Sequence, residues 1–201
     1  KMRVDMKGVE TQENLVKFCQ NTAQKALFGS LEFVQSNIND YKADSLDMLI
    51  ALHACDTATD DALYLGINAK AKVIIVAPCC HKQIRQQMTI KESNVLEPAM
   101  KYGILMERQA EILTDSLRAL ILNKFGYKTK VFEFVEYDNT SKNIIITAEL
   151  GEMPSDEQKK KIQSQIDDIK NRFGIKYHYL EKLIENPVDQ SWRILNAQCE
   201  K

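Results

Sequence analysis

Met48-Leu49-Ile50-Ala51-Leu52 runs directly into His53-Ala54-Cys55-Asp56-Thr57-Ala58-Thr59-Asp60, and Val73-Ile74-Ile75-Val76-Ala77 runs into Pro78-Cys79-Cys80-His81. Each apolar run is short and apolar at odd and even positions alike, the pattern of a strand inside a parallel sheet with helices on both sides. Ligands of open α/β sheets bind in the crevice beyond the carboxyl ends of the strands, so the residues that follow these two runs are the first candidates for chemistry. If the two strands are neighbours, about 4.8 Å apart, His53, Cys55 and Asp56 leave the sheet beside Cys79, Cys80 and His81.

Outward from this pair the chain alternates strand and helix. A strand-like segment ends in Gly8-Val9-Glu10, and a helix follows from about Gln12 to Leu27, with Thr11 as its cap and Gly29 as its stop. Leu31 to Val34 alternates as a strand, and Ser36-Asn37-Ile38-Asn39-Asp40 turns the chain. A helix starts near Thr59, and a long helical region covers about Asn94 to Phe125, broken near Pro98 and Gly103. Thr129 to Glu136 and Asn143 to Glu149 read as a hairpin around Tyr137-Asp138-Asn139-Thr140-Ser141-Lys142. The order predicts a doubly wound, Rossmann-like α/β sheet, mostly parallel, closed by an antiparallel C-terminal hairpin.

From Met153 the character changes. Pro154-Ser155-Asp156-Glu157-Gln158 has the form of a capping box, and Ile162, Ile166, Ile169 and Phe173 make one apolar stripe along a charged helix. A second short helix is expected over Tyr177 to Ile184. Residues 1–152 therefore read as one α/β domain and 153–201 as a helical extension that covers a sheet edge or joins a dimer interface.

With 201 residues, 44% hydrophobic and 27% charged, the chain can bury a sizeable core. A net charge of -1 and a pI near 6.4 give no global attraction to nucleic acid or an anionic membrane. The five cysteines (Cys19, Cys55, Cys79, Cys80, Cys199) are odd in number with two adjacent, which suits neither a disulfide framework nor a CxxC knuckle and points to a reducing, cytoplasmic setting. No stretch reaches the roughly 20 apolar residues of a membrane span, and the first residues hold no signal-peptide core.

Four groups of residues are candidates for a site. Glu10, at a strand end, suits ribose hydroxyls, with Asp5 as a rival; it is also simply a charge that favours the dipole of the following helix. Asn37 and Ile38 suit an adenine ring by one hydrogen bond and one face contact, or make an ordinary Asn-rich turn. The Cys/His group is open to three readings: a zinc site, a thiol activated by His53 or His81, or small buried cysteines beside hydrogen-bonded histidines. Adjacent Cys79 and Cys80 do not easily face one tetrahedral ion, so no metal is expected. Finally, Arg108, Thr114, Asp115 and Arg118 share a helix with Ile112, Leu113, Leu117, Leu120 and Ile121, where Asp115 and Arg118 are spaced for a surface ion pair.

The chain resembles the class I S-adenosylmethionine-dependent methyltransferases, and within them a family marked by His-Ala-Cys-(Gly/Asp)-x-Ala-Thr-Asp and Pro-Cys-Cys after successive strands. The residues that carry the likeness are His53 to Asp60, Pro78-Cys79-Cys80, Arg108-Gln109-Ala110 through Thr114-Asp115-Ser116-Leu117-Arg118-Ala119-Leu120, Gly126-Tyr127 and Thr140-Ser141-Lys142-Asn143. By position the resemblance implies Glu10 for the ribose, Asn37 and Ile38 for the adenine, and His53 and Ala54 for the methionine part of the cofactor. It places Pro78, Cys79 and Cys80 beside the methyl group and its acceptor, with Thr140, Lys142 and Asn143 touching the acceptor. His53 and His81 are then the expected base or orienting groups, Asp56 their supporting carboxylate, and Cys79 or Cys80 a relay nucleophile. The acceptor is RNA, a protein or a small molecule. Such enzymes begin with a strand and a glycine-rich loop that this sequence lacks, so the chain is expected to be the C-terminal part of a longer protein. The alternatives are a non-catalytic binding module on the same fold and a zinc-binding site at the Cys/His group.

Overall fold

β1 (Met6–Glu10) and β2 (Leu31–Gln35) pair in parallel, Met6 opposite Leu31 and Glu10 opposite Gln35, with α1 (Glu13–Lys25) as the crossover between them. This computed structural model describes residues 4–89, 97–134 and 143–186, in two compact units, residues 1–44 and 45–201. In the first unit the crossover lies tight on the strands. Gln20 Oε1 accepts the Phe33 N–H at 2.8 Å, and a Cβ on Gly8 would meet the Phe33 ring at 2.5 Å, so only glycine fits opposite that phenylalanine.

Two local expectations change here. Thr11 does not cap α1: the N-cap is Gln12, and the Thr11 N–H and hydroxyl donate to Glu10 instead. Nor does Gly29 stop the helix. The chain turns at Leu27, which takes φ 60 while Phe28 N–H returns to Ala23 O at 2.9 Å, and Leu27 is left 90% exposed rather than on the buried face.

The second unit is built on a four-stranded sheet in the order β3 (Met48–Leu52), β4 (Val73–Ala77), β6 (Ile144–Leu150), β5 (Tyr127–Glu133). β3 and β4 are parallel, whereas β6 runs antiparallel to both β4 and β5. The architecture is therefore mixed α/β. Among the described residues the sheets are two rather than one, and parallel pairings do not outnumber antiparallel ones.

One face of this sheet is the core. Ile74, Val76, Ile146 and Ala148 are buried there against Leu63 of α2 (Thr57–Asn68) and Leu117 and Ile121 of α5 (Gly103–Lys124). Tyr127 OH donates to Gly66 O at 3.2 Å and Thr129 Oγ1 to Asn123 Oδ1 at 2.9 Å, which fixes α2 and α5 to that face. On the opposite face Met48, Ile50 and Leu52 are 51, 58 and 59% exposed, so the expected helices on both faces of β3 are not what the second unit provides. Short helices α3 (Lys82–Arg85) and α4 (Glu97–Met100) precede α5, and the break expected near Gly103 falls between α4 and α5.

The C-terminal helices belong to the same compact unit. α6 (Asp156–Phe173) opens with the expected capping box, Ser155 Oγ accepting Gln158 N–H while Gln158 Oε1 accepts Ser155 N–H. It packs on α5 through the stripe that buries Ile166, and α7 (Tyr179–Glu185) packs on α2, with Tyr179 OH donating to Asp61 Oδ1 at 3.2 Å. Gln87 Oε1 takes the N–H groups of Lys176 and Tyr177, and Thr89 N–H donates to Phe173 O. The C-terminal segment thus braces the helix that follows β4.

Candidate functional site

The register of β3 and β4 sets Leu52 opposite Ala77, and His53 N–H donates to Ala77 O at 2.9 Å, so the loops after the two strands leave side by side. The first loop is bent by two non-glycine residues at positive φ, His53 at φ 57 and Asp56 at φ 49. Thr59 closes it by donating its hydroxyl to Ala54 O. Its far end is held across the gap, where Gln83 N–H donates to both Asp56 carboxylate oxygens at 3.2 and 3.1 Å. Burial pushes the Asp56 carboxyl up, and the Gln83 bond, with more distant Arg118 and His81, only partly offsets it.

Beneath both loops lies a fully buried ionic group that the sequence does not announce. Arg118 donates Nε to Asp60 Oδ1 at 2.8 Å, Nη2 to Asp60 Oδ2 at 3.2 Å and to Asp56 O at 2.8 Å, and Nη1 to Asp115 Oδ1 at 3.0 Å. The Arg118 side chain is 0% exposed, with Asp60 and Asp115 at 2 and 4%. Asp115 Oδ2 lies 3.3 Å from His81 Nε2, so one guanidinium fixes the first loop through the Asp56 carbonyl and the second through Asp115 and His81. Burial opposes the Arg118 charge, but the two carboxylates overturn it and raise its pKa; for Asp115 burial likewise opposes ionisation, and His81 with Arg118 hold it low. Asp115–Arg118 is thus a buried bridge and not the surface pair expected from spacing. The available signal was that α2 and α5 carry Asp60, Asp115 and Arg118 among their apolar residues, because buried charges are paired.

Three thiols gather above this brace. Cys55 Sγ is 3.3 Å from Cys79 Sγ, which is 3.7 Å from Cys80 Sγ, and both Cys55 and Cys79 sulfurs lie 3.9 Å from His53 O. The adjacent Cys79 and Cys80 therefore do face one point, contrary to the expectation from their spacing. Beyond Ala77 the alternation of the strand is lost, which lets both side chains turn the same way. Burial pushes the Cys79 thiol up to about 12, with the neighbouring Cys55 and Cys80 sulfurs adding to the shift. His53 is exposed at the loop surface, whereas His81 is buried and held on Asp115, so the two histidines do not share an environment. Ala54 is half-buried and Pro78 buried.

In the first unit Glu10 is the last residue of β1. Its Oε1 accepts the N–H groups of Thr11 at 2.7 Å and Gln12 at 2.9 Å and the Thr11 hydroxyl at 3.1 Å, and these bonds keep its carboxyl below the usual range. Asn37, exposed, and Ile38, half-buried, follow β2, with Asn37 Oδ1 accepting Asn39 N–H at 3.1 Å. Asn143 directly precedes β6 and its carbonyl accepts Phe134 N–H at 3.0 Å, while Thr140 and Lys142 fall outside the described residues.

Against known proteins, the model of a family described as a methyltransferase domain matches residues 1–87. Among solved structures the chain is similar to the YcgJ protein from Bacillus subtilis, at 10% identity and a TM-score of 0.40, over 74% of this chain and 83% of that one. No curated protein matches the sequence. Among the described residues no helix is long and apolar enough to cross a membrane.

Proposed function

We propose that the chain is an S-adenosylmethionine-dependent methyltransferase acting on an RNA, protein or small-molecule acceptor. The reading rests on one observation: Glu10, Asn37, His53 and Pro78 each lie at, or within two residues of, the carboxyl end of a strand in a parallel pair, where open α/β folds bind their ligands. The methyltransferase-domain match over residues 1–87 takes in all four.

The donor set suits the cofactor. Glu10 is favoured in its ionised form by two backbone N–H groups and the Thr11 hydroxyl, all on Oε1, which leaves Oε2 for a ribose hydroxyl. Asn37 keeps its amide N–H groups for the adenine edge, beside Ile38. By the resemblance His53 and Ala54 would line the methionine part, and the cofactor would supply an electrophilic methyl group on a sulfonium. The chain's remaining task is alignment, because an in-line displacement depends on holding acceptor and methyl in register. The rigid brace of Arg118 beneath both loops serves that task. His53, exposed at the loop surface, is the group placed to take a proton from the acceptor, while His81 orients the second loop from its buried place on Asp115. Burial and the neighbouring sulfurs push the Cys79 thiol up to about 12, which makes it a poor thiolate nucleophile at neutral pH and counts against Cys79 as a methyl relay. Pro78 and Asn143, with Thr140 and Lys142, would meet the acceptor. The thiols form no disulfide among the described residues, which suits a reducing cytoplasm.

The test is transfer of labelled methyl from S-adenosylmethionine to RNA, protein and small-molecule fractions supplied separately. Label should enter one class, and Glu10→Ala should abolish the transfer. Cofactor binding without transfer to any class would replace the enzyme by a non-catalytic binding module.

A further inference from the structure

We propose that Cys55, Cys79 and Cys80 form a three-thiolate site for a thiophilic divalent cation of the zinc class, stapling the loop after β3 to the loop after β4. Their sulfurs all lie within 4.8 Å of one another, with individual separations of 3.3 Å (Cys55 to Cys79) and 3.7 Å (Cys79 to Cys80). Zinc–thiolate bonds of about 2.3 Å in tetrahedral geometry put the sulfurs about 3.8 Å apart, so the site needs adjustments of about an ångström or less to close on an ion. Thiolate is the donor such cations prefer, and three thiolates leave a fourth position for water, on the exposed Cys55 side.

The loops that carry the sulfurs are already fixed, which is what a metal site requires of its surroundings. Asp56, next to Cys55, is tied to Gln83 N–H, and its carbonyl to Arg118; His81, next to Cys80, is tied to Asp115. One buried guanidinium thus positions ligands that are 24 residues apart in sequence. Binding displaces three thiol protons to solvent and forms three metal–sulfur bonds, with no change of oxidation state. A Cys55–Cys79 disulfide would instead need an oxidant, and it would remove two of the three ligands. The inference stands apart from the methyl-transfer reading, because metal binding is read without cofactor or acceptor.

The test uses the whole 201-residue chain under a non-chelating phosphine reductant. Zinc content is measured by mass spectrometry after equilibration with Zn2+ and dialysis. Affinity is measured by competition with a chromophoric chelator, and Co2+ is substituted to look for thiolate-to-cobalt charge-transfer absorption. One equivalent should bind, with the cobalt band present. Cys55→Ser, Cys79→Ser and Cys80→Ser should each weaken binding by at least about 100-fold, beyond the roughly 10- to 100-fold typical of losing a supporting residue. Cys19→Ser, in the other unit, should leave it unchanged. Cys55→Ser keeps the test decisive if the other variants fail to fold, because Cys55 is exposed and its replacement empties no core. Absence of binding, or binding that survives Cys55→Ser at the same affinity, would overturn the proposal.

Discussion

Arg118→Met tests the brace beneath the two loops. The substitution keeps an apolar stem of similar length but leaves Asp60 and Asp115, 2 and 4% exposed, as buried carboxylates without their cation. It also strips the Asp56 carbonyl of its 2.8 Å donor. Removing one partner of a buried ion pair costs about 3–5 kcal/mol, a large share of the roughly 5–15 kcal/mol that holds a domain folded. Urea denaturation followed by circular dichroism reads this loss as a shift in midpoint at unchanged slope. Arg118→Lys, which keeps the charge but loses the fork and the Asp56 bond, should lose less, about 1.5–3 kcal/mol. The distinguishing result is rescue: adding Asp60→Asn and Asp115→Asn to Arg118→Met should restore stability, because it removes the stranded charges. A loss below about 1 kcal/mol for Arg118→Met, or a triple variant less stable than the single one, would refute the reasoning.

Two further outcomes follow from other buried or strained positions. His178 Nδ1 accepts Leu180 N–H at 3.2 Å while its Nε2 is buried without a hydrogen-bond partner among the described residues, and burial holds its pKa below the ordinary value despite Asp60, Asp115 and Glu181, with Arg118 adding to the lowering. The unfolded chain therefore takes this proton first as pH falls, so stability should drop below about pH 6.5 with a contribution of up to about 1.4 kcal/mol per pH unit. His178→Asn keeps a capping acceptor and should flatten that slope in urea titrations between pH 4.5 and 7; an unchanged slope would clear His178 of the effect. Gly174 ends α6 at φ 69 with Thr89 packed where a Cβ would sit, so Gly174→Ala should cost at least about 1–2 kcal/mol in thermal or urea unfolding, and a neutral result would contradict the left-handed cap.

The sequence was most legible where one short-range signal decides the outcome. β3 falls on the expected Met48–Leu52, and the capping box at Ser155 starts α6 as expected, because apolar runs and reciprocal caps are local. The parallel sense of β3 and β4 was legible from pattern and connectivity, whereas the sequence left their adjacency as a condition, which the register of Leu52 opposite Ala77 meets. What stayed hidden depends on partners far apart in the chain. Asp60 and Arg118 are 58 residues apart, and nothing in either helix alone says that they meet. The rule that adjacent side chains diverge holds inside a strand, but Cys79 and Cys80 lie past its end. Apolar residues at every position of β3 read as two buried faces, yet helices cover one face of the second unit's sheet and Ile50 on the other is 58% exposed.

The most direct test of the proposed activity is isothermal titration of S-adenosylhomocysteine into the 201-residue chain beside its Glu10→Ala variant. The account predicts saturable binding that Glu10→Ala removes while circular dichroism stays unchanged. No binding, or binding indifferent to Glu10→Ala, would contradict it.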